Sequence, residues 1–302
     1  MSDKPTIDIT LDGAPRTIEA GTTGTLLLQD AVKKDGVVAM RVNGEPWDLD
    51  RQVPAGAVVE PITLSSEDGL NILRHSATHV MAQAVQEMFP GVDLGIGPFI
   101  TDGFYYDFGA IDAVTPEMLR EIEKRMKRIV KEGQRFVRRD ITEAEGREEL
   151  ADQPYKLELI TTKGAGAEGA SVEVGAGGLT MYDNVRRDGS VAWTDLCRGP
   201  HLPSTRLIGQ GFALTKSSSA YWKGDQSGDS LQRIYGTAWA SKDDLKAYQT
   251  RLAEAAKRDH RKLGAELDLY SFPEEIGPGL VVFHPKGAML RHQIEQYVVD
   301  RH

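Results

Sequence analysis

The chain of 302 residues has one cysteine, Cys197, so no disulfide forms within it and a disulfide scaffold is excluded. It has no apolar run of the length a membrane span requires, and its opening, Met1-Ser2-Asp3-Lys4-Pro5, lacks the basic then apolar layout of a signal peptide. A cytoplasmic protein without a membrane partner is the expectation. The chain also lacks a surplus of positive charge. Its 36 Lys and Arg stand against 45 Asp and Glu, a net charge of −9, which argues against coating nucleic acid by bulk electrostatics. What is present, 40% hydrophobic and 27% charged residues, describes an ordinary globular protein long enough for two or three domains. Two local excesses of base, Lys124 to Arg139 and Arg251 to Lys262, read as helical segments.

Two short stretches carry candidate chemistry: His75-Ser76-Ala77-Thr78-His79 and Cys197-Arg198-Gly199-Pro200-His201. The first lies in a run, Ser66 to Phe89, that reads as a helix. Ser65 or Ser66 can serve as N-cap, Glu67 and Asp68 suit the first turn, and Pro90-Gly91 is a stop. His75 and His79 therefore sit one turn apart on one face. Leu73, Ala77, Val80, Met81, Ala84 and Met88 recur at core-stripe spacing. At roughly 100° per residue, His75 points nearly opposite Ala77, so both imidazoles should look away from the main core, towards water or a second wall. The bland alternative is a pair of solvated surface histidines. Arg198-Gly199-Pro200 cannot be a regular helix interior, which puts Cys197 and His201 on a turn or loop.

Residues 4–64 read as a compact module: strand Thr6 to Thr10, turn Asp12-Gly13, strand Arg16 to Glu19, short helix Thr25 to Lys34, strand Ala39 to Val42, turn Asn43-Gly44 and strand Val58 to Leu64. That order is β-grasp-like, and the module shows no catalytic residue. Beyond the histidine-bearing helix, Gly95 to Phe108 reads as a Gly-punctuated strand pair, and Thr115-Pro116 opens a helix that runs to about Gly133. Ala144 to Ala151 reads as a short helix and Tyr155 to Ile160 as a strand, with Lys156 in an apolar context. Lys163 to Gly178 is rich in Gly and Ala and reads as a flexible loop. Strands are expected at Thr180 to Tyr182 and Ser190 to Leu196, then in short pieces at Phe212 to Leu214, Ala220 to Trp222 and Leu231 to Tyr235. An uninterrupted helix is expected from Ser241 to about Leu267, a strand at Leu280 to Phe283, and a last helix from near Lys286. The apolar positions of that helix, Met289, Leu290, Ile294, Tyr297 and Val298, need a partner surface, and the chain reads as a fragment. The fold class expected is α+β.

Several blocks in order resemble the N-terminal half of bacterial-type threonyl-tRNA synthetases. They are His75-Ser-Ala-Thr-His79, Gly97-Pro98, Gly103-Phe-Tyr-Tyr-Asp107, Asp195-Leu-Cys-Arg-Gly-Pro-His201, Ala220-Tyr-Trp-Lys-Gly-Asp225, Leu231 to Trp239 and Lys257-Arg-Asp-His-Arg-Lys262. The resemblance implies a TGS-like β-grasp domain over residues 1–64, an editing domain over 65–240, a linker helix over 241–267 and the truncated start of a class II aminoacylation core over 268–302. It implies hydrolysis of serine wrongly esterified to threonine tRNA, with tRNA as partner and a homodimer in the full-length family. A missing methyl group gives a binding pocket only ~1–3 kcal/mol of discrimination, so a second, hydrolytic site is needed.

On this resemblance His75 and His79 serve as general base or water-positioning groups, and Lys156 stabilises the oxyanion or the leaving ribose oxygen. Asp195 holds the substrate ammonium. Tyr106, His201, Tyr182 and Arg198 shape the pocket and bind the terminal adenosine, and Cys197 takes a non-covalent role there. Lys257, Arg258, Arg261 and Lys262 would contact acceptor-stem phosphates. No cofactor is required for the hydrolysis. The alternatives are a non-catalytic tRNA-binding module, or a deacylase that depends on a zinc ion held by His75, His79, Cys197 and His201. ATP, magnesium and a catalytic zinc belong to the core that the resemblance places outside this chain, so no aminoacylation is expected from these residues alone.

Overall fold

The computed structural model describes residues 5–162, 174 and 178–302, so the expected flexible loop from Lys163 to Gly178 lies, apart from Val174 and Gly178, outside the described residues. The fold is mixed α+β with several sheets. The chain divides into two units, Met1–Leu245 and Lys246–His302. Among the described residues no helix is long and apolar enough to cross a membrane.

The first unit opens with β1 (Thr6–Leu11), β2 (Ala14–Glu19), α1 (Gly24–Leu27), α2 (Gln29–Lys34), β3 (Val37–Val42), β4 (Glu45–Trp47) and β5 (Val58–Thr63). These strands form one sheet in the order β2-β1-β5-β3-β4, with β1 and β5 parallel and the other pairs antiparallel. Asp12-Gly13 and Asn43-Gly44 take left-handed backbone at both positions, the conformation two-residue hairpin turns require. Ile9, Met40, Val42, Leu49 and Val59 fill the core beneath the sheet. The single helix expected over Thr25 to Lys34 is two short ones, because Leu28 leaves helical backbone (φ −105°, ψ 18°) to bury its side chain in that core.

Next comes α3 (Glu67–Met88), capped by Ser66, whose hydroxyl accepts from the Gly69 N–H at 3.1 Å. It is followed by β6 (Asp93–Leu94), β7 (Phe99–Ile100), β8 (Gly103–Gly109), α4 (Pro116–Glu132), β9 (Arg135–Ile141), α5 (Glu143–Glu149), α6 (Pro154–Thr162), β10 (Leu179–Val185), β11 (Val191–Leu196), β12 (Phe212–Tyr221) and β13 (Ser230–Ala238). Two antiparallel sheets result, β12-β13-β8-β6, with β7 also on β8, and β11-β10-β9. The helix α3 lies between them. Leu73, Ala77, Val80, Met81 and Ala84 join Phe104, Tyr106 and Phe108 of β8 in the main core. On its other side Gln83 accepts from the Asn184 side chain of β10 at 2.6 Å, and Gln86 accepts from the Trp193 indole of β11.

Several sequence expectations are corrected. Tyr155 to Ile160 is helix, not strand: Pro154 has the fixed φ of a first helical position, and Tyr155, Leu159 and Ile160 share the buried face of a second core. The period-2 alternation of these six residues fits a strand equally well over so short a span. The basic run Lys124 to Arg139 is not one helix, because Gly133 (φ 67°) caps α4 and Arg135 to Arg139 continue as β9. Phe212 to Tyr221 is one ten-residue strand, with a register shift between Leu214 and Lys216 where two pieces were expected.

From the end of the first unit runs α7 (Lys242–Lys257), and the second unit continues with α8 (His260–Glu266), β14 (Tyr270–Ser271), β15 (Val282–Phe283) and α9 (Pro285–Arg301). The uninterrupted helix expected to Leu267 breaks at Asp259, whose carboxylate accepts from the Arg261 N–H at 2.8 Å and starts a new helix. Met289, Leu290, Ile294, Tyr297 and Val298 of α9 are exposed.

Candidate active site

The expected outward view of the histidines is half right. They do leave the α3 core stripe, but the wall they meet is protein: His75 is 5% and His79 3% exposed, so solvated surface histidines are excluded. Ser76, His79, Gln83 and Gln86, spaced three and four apart, form a polar stripe along α3 towards β9, β10 and β11. The turn after β11 faces that stripe. Gly199 takes φ 66°, and a Cβ there would stand 2.0 Å from the Tyr182 hydroxyl, so only glycine lets Cys197 and His201 turn back onto α3.

His201 is the centre of the cluster. Its ring stacks between His75 (4.4 Å between centroids, 13°) and Phe136 (4.7 Å, 9°), with Tyr182 edge-on at 4.6 Å and His79 at 4.6 Å. Cys197 Sγ lies 3.2 Å from His201 Nε2 and 3.4 Å from His75 Nε2. Ser76 Oγ is 3.1 Å from His201 Nδ1 and accepts from the Leu202 N–H at 3.0 Å, which leaves its own proton available to Nδ1. His79 Nε2 is buried without a hydrogen-bond partner among the described residues.

A second cluster adjoins it. Lys156 is 0% exposed on α6, with Nζ 3.0 Å from Asp195 Oδ1 and donating to the Leu196 carbonyl at 3.4 Å. Asp195 also accepts from the Tyr106 hydroxyl at 2.7 Å and from the Leu196 N–H at 2.8 Å, so both its oxygens are engaged. Tyr106 needs Gly97 beside it, since a Cβ there would fall 2.3 Å from the ring. The Ala220 to Asp225 motif locks α6 from outside: the Trp222 indole donates to Glu158 at 2.8 Å, Lys223 pairs with Glu158 at 2.5 Å, and the Trp222 ring lies 4.8 Å from Tyr155.

Electrostatics keep the imidazoles neutral. Burial, and then the Lys156 charge, lower His75 to about 4, against a weaker opposing pull from the Gly97 backbone. His79 is held well below its ordinary value by burial, His75 and Lys156, and His201 by burial, His75 and His79. Each ring therefore offers a lone pair rather than a charge at neutral pH.

A cleft of about 640 Å³ opens beside His75, lined by Asn71, Arg138 and Arg198 and, from the first module, by Trp47 and Arg51. A smaller cavity of about 140 Å³ reaches Asp48, Phe136 and His201. Lys156 and Asp195 lie behind these surfaces, fully buried. The basic residues Lys257, Arg258, Arg261 and Lys262 belong to the second unit, where Lys257 pairs with Glu254 at 2.6 Å and Arg261 with Asp259 at 2.7 Å.

Sequence reasoning missed Asp48. Its carboxylate accepts from the His201 backbone N–H at 2.9 Å and from the Tyr182 hydroxyl at 2.6 Å, while burial pushes its pKa up against those bonds. The module expected to carry no catalytic residue thus supplies a group that holds the His201 turn. No local signal marks an aspartate 153 residues from its partner. Ser76 was legible only as a spacer within His75 to His79.

The donor set fits a metal in part. Ligand atoms of His75, Cys197 and His201 all lie within 4.8 Å of one another, whereas His79 stands apart from that set, its ring against Trp193 and Phe136. Of the alternative four-donor zinc set, three donors are gathered closely, the number that leaves a catalytic zinc one open position.

Residues 178–235, which carry Tyr182, Asp195, Cys197, Arg198 and His201, match the family model described as the threonyl and alanyl tRNA synthetase second additional domain. That match identifies this region as an accessory domain of the kind described for threonyl and alanyl tRNA synthetases. The chain is 71% identical to the threonine--tRNA ligase of Cutibacterium acnes over 98% of its own length and 43% of that protein's. It is 58% identical to that of Micrococcus luteus, covering all of this chain and 45% of the relative, and 57% identical to that of Thermobifida fusca, covering all of this chain and 46% of the relative. The chain belongs to the threonine--tRNA ligase family, as its N-terminal part, and spans less than half the length of the curated relatives it matches.

Proposed function

We propose that the His75, His79, Cys197 and His201 cluster, with Lys156 and Asp195, is a hydrolytic editing site that removes serine wrongly esterified to threonine tRNA. The observation that carries this reading is a set of buried, neutral imidazoles at the edge of a cleft, with a buried ammonium close enough to depress them. An ester carbonyl that reaches His75 meets a ring able to accept a proton from water. Oxyanion charge then develops in the positive field of Lys156. Tyr106 and Asp195 hold that ammonium in place, and Tyr182 and His201 shape the pocket that receives the amino acid and the terminal adenosine. A methyl group's worth of space, ~1–3 kcal/mol, separates serine from threonine there.

A metal, if bound, would be held by His75, Cys197 and His201 and would supply an activated water. The reading needs none, because an aminoacyl ester is already labile and the proton acceptor and positive field are built from side chains. The five-stranded module over residues 6–63 supports a TGS-like β-grasp domain at 1–64, ahead of an editing domain at 65–240. We read α7 and α8 as the linker over 241–267, with acceptor-stem contacts at Lys257, Arg258, Arg261 and Lys262, and residues 268–302 as the start of a class II core. ATP use and dimer formation are proposed for the whole synthetase only.

The test is deacylation of seryl threonine tRNA by wild type and H75A, with tRNA affinity measured in parallel. Loss of hydrolysis with affinity retained is expected. Equal hydrolysis by the two proteins would remove His75 from the mechanism, and no hydrolysis by wild type with tRNA still bound would reduce the chain to a binding module.

A further inference from the structure

The first five-stranded module lends Pro46, Trp47 and Arg51 to the lining of the 640 Å³ cleft that His75 also lines, and the chemistry there is that of an anion seat. Arg51 lays its guanidinium flat on the Trp47 ring, 3.3 Å from the centroid, which fixes the plane of its donors. Among the described residues no carboxylate pairs with it within 4.0 Å. Arg138 lines the same cleft from β9, on the far side of the gap between module and sheet. Of the acids that line the cleft, Asp68 pairs with Arg41 and Asp140 with both terminal guanidinium nitrogens of Arg138 at 2.7 and 2.8 Å, while Glu45 is exposed to solvent. Asp140 is 75% exposed, so that pair is screened by solvent and open to exchange. Two like charges drawn into one half-buried gap repel. Burial first, and then the Arg138 charge, lower the Arg51 pKa, and an anion between the two would relieve that repulsion.

We propose that Arg51, stacked on Trp47 and set across the cleft from Arg138, seats the phosphodiester on the 5′ side of the terminal nucleoside whose ester reaches His75. The inference rests on the editing reading and adds to it a role for the first module as part of the substrate site. A guanidinium whose plane is fixed presents two parallel donors to the two free oxygens of a phosphodiester. A nucleoside with its ester at His75 sends its 5′ phosphate back along the cleft, where these two residues stand.

The experiment uses the full chain, as wild type, R51A and R51K, with two seryl esters: one on adenosine and one on a short CCA-ended RNA. Affinity for the same RNA carrying a non-hydrolysable seryl amide is measured as a function of salt. With the RNA ester, R51A should raise KM about tenfold at unchanged kcat, and R51K should restore part of it, since lysine keeps the charge without the stack. With seryl adenosine, which has no phosphate, R51A should match wild type. The slope of log affinity against log salt should fall by about 0.7, one single-strand phosphate contact. Equal RNA affinity and salt slope in wild type and R51A would overturn the proposal, as would an equal loss on both esters, which marks a merely structural residue. If wild type hydrolyses neither ester, the editing reading fails. The amide-RNA affinities still decide whether Arg51 holds a phosphate.

Discussion

Asp195→Asn tests the electrostatic core of the site. The substitution keeps the shape of the side chain and removes the charge 3.0 Å from a lysine that is 0% exposed and donates to the Leu196 carbonyl at 3.4 Å. Removing one member of a buried pair costs about 3–5 kcal/mol. A lysine that buried, with the Asp195 charge removed, gives up its proton on folding. From an ordinary value near 10.4, and at about 1.36 kcal/mol per pH unit, that loss costs about 4.6 kcal/mol at pH 7. The sign follows from proton counting. The unfolded variant binds a proton that its folded form does not, so its stability rises with pH, and the deficit should shrink by about 2.7 kcal/mol between pH 7 and 9. In the wild type the Asp195 carboxylate stays 3.0 Å from Lys156, and no such trend is expected from the pair. The double variant D195N/K156M, with the buried cation gone, should return to within about 2 kcal/mol of wild type. Urea denaturation followed by tryptophan fluorescence at pH 7, 8 and 9 reads all three proteins. A deficit below about 1 kcal/mol at pH 7, or one that does not change with pH, would refute this account of the pair.

Gly199→Ala places a Cβ 2.0 Å from the Tyr182 hydroxyl at φ 66°; the left-handed backbone alone costs about 1–2 kcal/mol, and both urea stability and seryl deacylation should fall. Asp48→Ala leaves the His201 N–H and the Tyr182 hydroxyl without their acceptor, which predicts a loss of about 1–3 kcal/mol and at least about a tenfold drop in kcat for the seryl ester; an unchanged rate would show that the first module does not set the His201 turn. His75, lowered to about 4, binds its proton more readily in the unfolded chain, so its contribution is full above about pH 6.5 and is lost as pH falls towards 4. For this residue the loss between pH 7 and 5 is about 2 kcal/mol, and H75N should be less acid-sensitive by that amount in urea titrations at the two pH values.

Local signals in the chain were legible where one residue type has few conformational options. Ser66 as cap, Thr115-Pro116 as helix start, and Asp12-Gly13 and Asn43-Gly44 as turns all stand where the sequence puts them. Failures came where short-range pattern is ambiguous or where tertiary contact decides. Tyr155 to Ile160 alternates like a strand, yet Pro154 and the second core make it a helix. The polar stripe of α3 looks solvated on a helical wheel because its partner sheet lies more than 50 residues away in sequence. The two histidine stretches were visible as motifs, but their convergence depends on Gly199, Tyr182 and Asp48, which the chain brings together only on folding.

The most direct test of the central claim is the hydrolysis of seryl and threonyl esters on threonine tRNA by the purified chain, with and without a chelator. Loss of serine, retention of threonine and insensitivity to the chelator are the predicted result. Equal hydrolysis of both esters, or of neither, would contradict it.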